Sequence, residues 1–327
     1  MPRVLVDVSN VDLSTVVLGK YNVKFPVFVA PTAMQKMAHH QGEMASSRAA
    51  SSHGTIFTLS SLSTTTLEEV AKEQDSIFVA GGGVFRWFQL YVSTDRKVTE
   101  ELAKRAEASG YQALVVTVDA PVIGTREADI RNRFALPPHL KLANYEEKAD
   151  ARGSAIQSFS VDKSLQWKDI QWLKSITTLP VILKGIHSPL DAVRAIEEGV
   201  QGIIVSNHGG RQLDGVPATI SVLPNIVDAI KEYKPNYKES NFSIYMDGGI
   251  RRGSDIFKAL ALGAQGVFIG RPVIWGLSYS GQQGVEHVLE ILRDELATCM
   301  RLAGVNTIHE INRSFITSQG RLMPKFL

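Results

Sequence analysis

The sequence predicts a (β/α)8 barrel. Three observations carry this: eight short apolar segments follow one another along the 327 residues, stretches of helical periodicity separate them, and no shift in composition marks a domain boundary. Residues 1–327 therefore read as one domain, of ordinary length for such a barrel. A doubly wound sheet is the structural alternative, because it uses the same alternation.

The first apolar segment is 27–30 (VFVA), followed by Pro31, Thr32 and Ala33. The second, 55–59 (TIFTL), runs into Ser60 and Ser61, and a helical period covers 66–73. Residues 72–84, with Gly81, Gly82 and Gly83, read as an exposed flexible insertion. The third strand, 88–92 (FQLYV), carries Gln89 and Tyr91, and helical spacing returns over 98–109. The fourth, 113–118 (ALVVTV), brings Thr117 and Asp119, then Arg126. From 119 to 179 there is no clear strand, the charge is concentrated around 146–152, and one helix occupies 167–175. A connection this long after a barrel strand predicts a lid, mobile over 135–160. The fifth strand, 181–183, ends at Lys184 and leads to a helix over 189–198. The sixth, 202–205 (GIIV), ends at Ser206 and His208. The seventh, 244–246, gives Asp247, Gly248, Gly249 and Arg251 before a helix over 253–262. The eighth, 267–269, gives Gly270 and Arg271.

These polar residues fall at the carboxyl ends of the strands, the face where barrel enzymes place their chemistry. The segment GIIVSNHGGRQLDG (202–215) puts His208 and Arg211 on one such loop. A histidine takes a proton near neutral pH, and an arginine grips a carboxylate through two parallel hydrogen bonds. Together they point to proton removal from a small acid. Glycines after the seventh and eighth strands let backbone N–H groups approach an anion, and Arg251 and Arg271 add charge-assisted bonds there. Lys184 fits two roles, a Schiff base or a fixed cation beside a negatively charged cofactor.

Composition narrows the class. A formal net charge of +2 argues against a nucleic-acid or membrane-surface partner. One cysteine, Cys299, precludes an internal disulfide framework and points to a reducing compartment. No apolar run has transmembrane length, MPRVLVDVSN lacks a secretory core, and the final MPKFL matches a peroxisomal address poorly. The expectation is an intracellular protein, cytoplasmic or peroxisomal, without a bound metal.

Seven segments resemble one family: PTAMQKMAH (31–39), FQLYV (88–92), TVDAP (117–121), READIRNRF (126–134), SNHGGRQLD (206–214), DGGIRRG (247–253) and FIGRP (268–272). They are similar to the FMN-dependent L-2-hydroxy acid oxidases and dehydrogenases, among them glycolate oxidase, L-lactate oxidase and the flavin domain of flavocytochrome b2. The resemblance implies a base at His208, with Asp119 stabilising its imidazolium. It implies a substrate carboxylate held by Arg126 and Arg211, and a hydrogen bond to substrate from Tyr91. Lys184 is then implied at the flavin N1–O2 edge, which removes the Schiff-base role. Pro31, Thr32, Ala33, Ser60, Gln89, Tyr91, Thr117, Lys184, Ser206, His208, Asp247, Gly248, Gly249, Arg251, Gly270 and Arg271 are implied to bind FMN. A homotetramer is the family's common assembly, and the flavin is reoxidised by oxygen or another acceptor.

Two departures set further expectations. The 327 residues are expected to lack the family's N-terminal helical segment, with a tyrosine that touches substrate, so the alternative expectation is a weakly active or non-catalytic FMN-binding barrel. Leu62 stands where the glycolate oxidases have tryptophan, as in the flavocytochrome b2 group. Leucine leaves room for a methyl or longer tail, so L-lactate or a longer 2-hydroxy acid is expected to be preferred over glycolate, a discrimination of roughly 1–3 kcal/mol. Other FMN barrels, such as nucleotide dehydrogenases and diphosphate isomerases, are disfavoured because the His208–Arg211 pair with Arg126 suits a small carboxylate.

Overall fold

The computed structural model describes residues 2–76, 84–145 and 161–317. A short antiparallel hairpin, β1 (Thr15–Val17) and β2 (Tyr21–Val23), precedes the barrel. Its three-residue strands are too short to show a period, and the sequence did not reveal them. The chain then alternates through β3 (Val27–Val29), α1 (Gly42–Ser52), β4 (Ile56–Ser60), α2 (Leu67–Ser76), β5 (Phe85–Leu90), α3 (Arg96–Ala108) and β6 (Leu114–Thr117). After β6 come α4 (Glu127–Arg131) and α5 (Lys168–Ser175). The remaining units are β7 (Val181–Ile186), α6 (Pro189–Glu197), β8 (Gly202–Val205), α7 (Thr219–Tyr233), β9 (Ser243–Asp247), α8 (Gly253–Ala261), β10 (Gly266–Ile269) and α9 (Arg271–Ala303). The strands from β3 to β10 are all parallel and close on themselves, β10 pairing with β3. The predicted (β/α)8 barrel is the observed fold.

Strand periodicity explains why the site lies where it does. Each barrel strand sends at least one side chain into a buried plug: Phe28, Ile56, Trp87, Val115, Ile182, Ile204, Tyr245 and Phe268, with Phe85 a second from β5. Phe28, Tyr245 and Phe268 meet edge-on, with Phe28 and Phe268 ring centres 5.2 Å apart. Gly266 is required beneath them, because a Cβ there would lie 2.3 Å from the Phe28 ring. Side chains alternate across a strand, so the next inward positions lie two residues further on. Those positions are Ala30, Thr58, Gln89, Thr117, Lys184, Ser206, Asp247 and Gly270. Phe268 of the plug lines the cavity, and mostly polar residues form the layer just above the plug. The outward positions, such as Val29, Phe57, Leu59, Leu90, Val116 and Leu183, pack against the helices in a second, larger core.

Several expected boundaries are corrected. β5 spans Phe85–Leu90, not 88–92, so Tyr91 lies just past the strand. Its start is hidden in sequence by Arg86, a buried cation paired with Asp75 at 2.7 Å. Residues 72–76, expected in the insertion, are the last turns of α2, where Gln74 is buried. The rest of that insertion, 77–83 with the three glycines, lies outside the described residues. β7 extends to Ile186, with a register shift between Lys184 and Ile186. The connection after β6 contains α4, which buries no side chain and so shows no apolar period. Of the expected lid, 146–160 lies outside the described residues. The part at 143–145 is not a free lid. Ala143 N–H donates to Ser63 O, and buried Asn144 accepts from Leu67 N–H and donates to Ser63 Oγ. Helices α1, α7 and α9 were not singled out: α1 is mostly alanine and serine, α7 contains Pro224, and α9 breaks at Ser280–Gly281. Among the described residues no helix is long and apolar enough to cross a membrane, and no group of three His, Cys, Asp or Glu could hold a metal.

Candidate active site

An open cavity of about 1260 Å³ empty volume lies at the carboxyl ends of the strands. On the loop after β8, His208 adopts a left-handed backbone with φ 57°. A non-glycine residue held there is strained, a feature that clusters at functional sites. Its backbone N–H donates to Ser206 Oγ at 3.1 Å. Its ring Nδ1 lies 2.9 Å from Asp119 Oδ1. With Nδ1 committed to the carboxylate, Nε2 is the nitrogen left for a ligand.

Lys184 is buried and fixed from two sides. Its Nζ donates to Ser206 Oγ at 2.9 Å and lies 3.0 Å from Asp247 Oδ2. Burial opposes its charge, but Asp247 and then Asp119 outweigh that penalty and hold the ammonium above lysine's ordinary pKa. It is a fixed cation, not the neutral amine a Schiff base requires. Asp247 Oδ1 is buried without a partner among the described residues. Beside it, Gly248 and Gly249 have φ of 89° and 76°, and a Cβ at Gly249 would meet nothing within 4 Å. Arg271 Nη2 donates to Gly209 O at 3.1 Å, and the Arg251 guanidinium stacks 4.9 Å from the Trp275 ring centre.

The opposite wall is also cationic. Desolvation, then the charges of Arg126 and Arg271, push the Arg211 guanidinium below its ordinary value. Arg126 Nε is buried without a hydrogen-bond partner among the described residues, and Arg126 Nη1 stands 3.9 Å from the Asp129 carboxylate. Crowded cations with an unsatisfied N–H are stabilised by an anion between them. Burial raises the Tyr91 hydroxyl, which therefore remains a donor. Ser60, Gln89 and Thr117 form one chain across β4, β5 and β6: Ser60 Oγ donates to Gln89 Oε1 at 3.2 Å, and Gln89 Nε2 donates to Thr117 Oγ1 at 3.0 Å.

Eighteen of the twenty residues expected at the site line this cavity, Leu62, Thr32 and Gly270 among them. Asp119 and Ser206 do not; they stand behind it, holding His208 and Lys184. Residues not foreseen also line it: Ala120, Ile123, Val161, Gly209 and Gln212. Their apolar or amide side chains carried no chemical signal. Glu43 was missed as well. It is fully buried and accepts from Gln35 N–H, Thr64 N–H and the hydroxyls of Thr64 and Thr65, tying together the loops after β3 and β4.

A parallel barrel with a His–Asp pair, a buried cation and an arginine-lined mouth defines a barrel enzyme that handles an anionic ligand. The FMN-dependent dehydrogenase family model matches residues 1–318, and the chain belongs to that family, as an FMN-dependent 2-hydroxy acid oxidase or dehydrogenase. It is similar to glycolate oxidase 1 of Zea mays, 50% identical over 326 residues that cover 97% of this chain and 84% of that enzyme. Glycolate oxidase of Spinacia oleracea is 49% identical over 325 residues, with the same coverage of 97% and 84%. A mandelate oxidase solved with (S)-4-hydroxymandelic acid superposes with a TM-score of 0.86 at 39% identity, covering 96% of this chain and 85% of that one. The cofactor is FMN. The residues present fit it: the unpartnered Asp247 Oδ1, the open Gly248–Gly249 turn and the flanking Arg251 and Arg271 offer complements for a polar ring edge and a phosphate.

Proposed function

We propose that this chain oxidises an L-2-hydroxy acid to the 2-oxo acid, with each group in the cavity taking one part of the work. Gly248, Gly249, Gly270, Arg251 and Arg271 would hold the FMN phosphate, and Pro31–Ala33, Ser60, Gln89, Thr117 and Lys184 would line the ring. FMN, when bound, supplies the acceptor for the two electrons that the substrate loses. Arg126 and Arg211 clamp the substrate carboxylate, which relieves the repulsion between them. Tyr91 donates a hydrogen bond to the substrate. His208 Nε2 takes a proton from the substrate, and Asp119 holds the resulting imidazolium at Nδ1. Lys184 keeps its charge beside the ring, a preorganised cation where negative charge develops.

The observation that carries this reading is the 2.9 Å His208–Asp119 contact at the mouth of a cavity that also presents Arg126 and Arg211. A non-catalytic flavin carrier has no use for a strained, carboxylate-paired histidine. Leu62, buried at the cavity wall, favours a substrate with a side chain, L-lactate or longer, over glycolate. The test is anaerobic mixing of the yellow enzyme with glycolate, L-lactate, L-2-hydroxybutyrate and (S)-mandelate. Bleaching by at least one, fastest with a substrate bearing a side chain, is expected. A flavin that stays oxidised with all four would overturn the reading. Admitting air to the bleached enzyme then reports whether oxygen serves as acceptor.

A further inference from the structure

The base, its carboxylate partner and the two arginines of the carboxylate clamp lie on two loops. His208 and Arg211 follow β8, and Asp119 and Arg126 follow β6. A 1 Å separation of these loops would part the base from its carboxylate and open the carboxylate clamp. Apart from the His208–Asp119 contact, every described hydrogen bond between them runs through one side chain, Gln212. Its Nε2 donates to Asp119 O and to Val122 O, both at 2.9 Å. Its Oε1 accepts from Gly124 N–H at 3.0 Å. Both amide hydrogens and the carbonyl oxygen are thus engaged by backbone at 119, 122 and 124, two residues short of Arg126. The close approach has a second requirement: a Cβ on Gly124 would lie 2.4 Å from Arg211 O and 2.9 Å from Gln212 Cα.

We infer that Gln212 is a positioning residue for substrate turnover, a staple that sets the spacing between the His208–Arg211 loop and the Asp119–Arg126 loop. This rests on the reading of those four groups given above. Only a primary amide fulfils the role. A carboxylate cannot donate to two carbonyl oxygens, and a thioether neither donates nor accepts well. None of the described hydrogen bonds of Gln212 reaches a residue that would hold the FMN phosphate, so its loss acts on substrate and leaves flavin affinity unchanged.

The test compares Gln212→Met, Gln212→Glu and Gly124→Ala with the parent holoenzyme. The last variant wedges the same contact open from the other side and leaves the amide intact. The readouts are FMN dissociation constant, oxalate binding by flavin perturbation, and the anaerobic flavin reduction rate and KM with the best substrate. FMN affinity within about twofold, oxalate affinity reduced about tenfold, and reduction slowed about 10- to 100-fold are expected for all three, since misplacement by about 1 Å costs up to about 10²-fold. Parental oxalate binding and reduction rate in Gln212→Met would overturn the inference. So would a parallel loss of FMN, which marks general damage. His208→Gln runs alongside: if it reduces at the parental rate, the assignment of the four groups fails, whereas a dead His208→Gln with a normal Gln212→Met refutes only the staple.

Discussion

Replacing Gly185 with alanine tests how the base is aligned. Gly185 sits at the register shift in β7, directly after Lys184, with φ 113°. A Cβ there would lie 2.6 Å from Asp119 Cβ, 2.7 Å from its Cγ and 2.8 Å from its backbone nitrogen. Carbon atoms pack at about 3.5–4.0 Å, so Asp119 must retreat by about 1 Å. Its 2.9 Å contact with His208 Nδ1 would then stretch beyond hydrogen-bonding distance. Overpacking costs about 1–3 kcal/mol and the forced backbone adds about 1–3 kcal/mol, part of which local movement relieves. A loss of stability of about 2–4 kcal/mol by urea unfolding, and a flavin reduction rate about 10²-fold lower in anaerobic stopped flow, are expected. Gly185→Ser should behave alike. A destabilised protein that still reduces its flavin at the parental rate would show that Gly185 serves the barrel alone and that Asp119 is aligned by other contacts.

Three further outcomes follow from the same geometry. Leu62→Trp should shift kcat/KM toward glycolate relative to L-lactate by about 10- to 200-fold, the range for one apolar pocket contact; an unchanged preference order would show that Leu62 does not set specificity. Lys184→Met strands buried Asp247 and should cost about 3–5 kcal/mol in urea unfolding of the apoprotein. Because the folded pKa of Lys184 is raised, that contribution is fully present below about pH 10.4 and lost as pH rises through the folded value, so the deficit should be equal at pH 7 and pH 9 and shrink only above that window. Glu43→Gln swaps one acceptor oxygen for a donor amid four donors and should cost about 1–3 kcal/mol, seen as a lower Tm by calorimetry.

Most of the barrel was legible because its strands are buried on both faces and read as plain apolar runs. The polar residues were legible for a related reason. Once Phe28, Ile182 or Phe268 fills the plug, the period of two fixes that Ala30, Lys184 and Gly270 face the cavity. What failed to show were elements without a period. The hairpin at Thr15–Val23 is too short, α4 buries nothing, and α9 is interrupted at Gly281, where a Cβ would strike the His39 ring at 2.9 Å. The start of β5 was hidden because Arg86 reads as polar, although its side chain is buried and pairs with Asp75 at the surface. Motif reading found the groups that do chemistry, and Asp119 and Ser206 that hold two of them, but passed over other supports. Gln212, Gly185 and Glu43 are defined by atoms distant in sequence, which no local pattern records.

The central claim is that His208, held by Asp119, takes the proton that allows the substrate to be oxidised. The most direct measurement is single-turnover anaerobic reduction of FMN-loaded His208→Gln by the substrate that best reduces the parent enzyme, at saturating concentration. Glutamine keeps the size and loses the base, so FMN should remain bound, the substrate carboxylate should still perturb the flavin spectrum, and reduction should slow by about 10²–10⁴-fold or more. A variant that bleaches at close to the parental rate would show that another group removes the proton, and the mechanism built on the His208–Asp119 pair would fall.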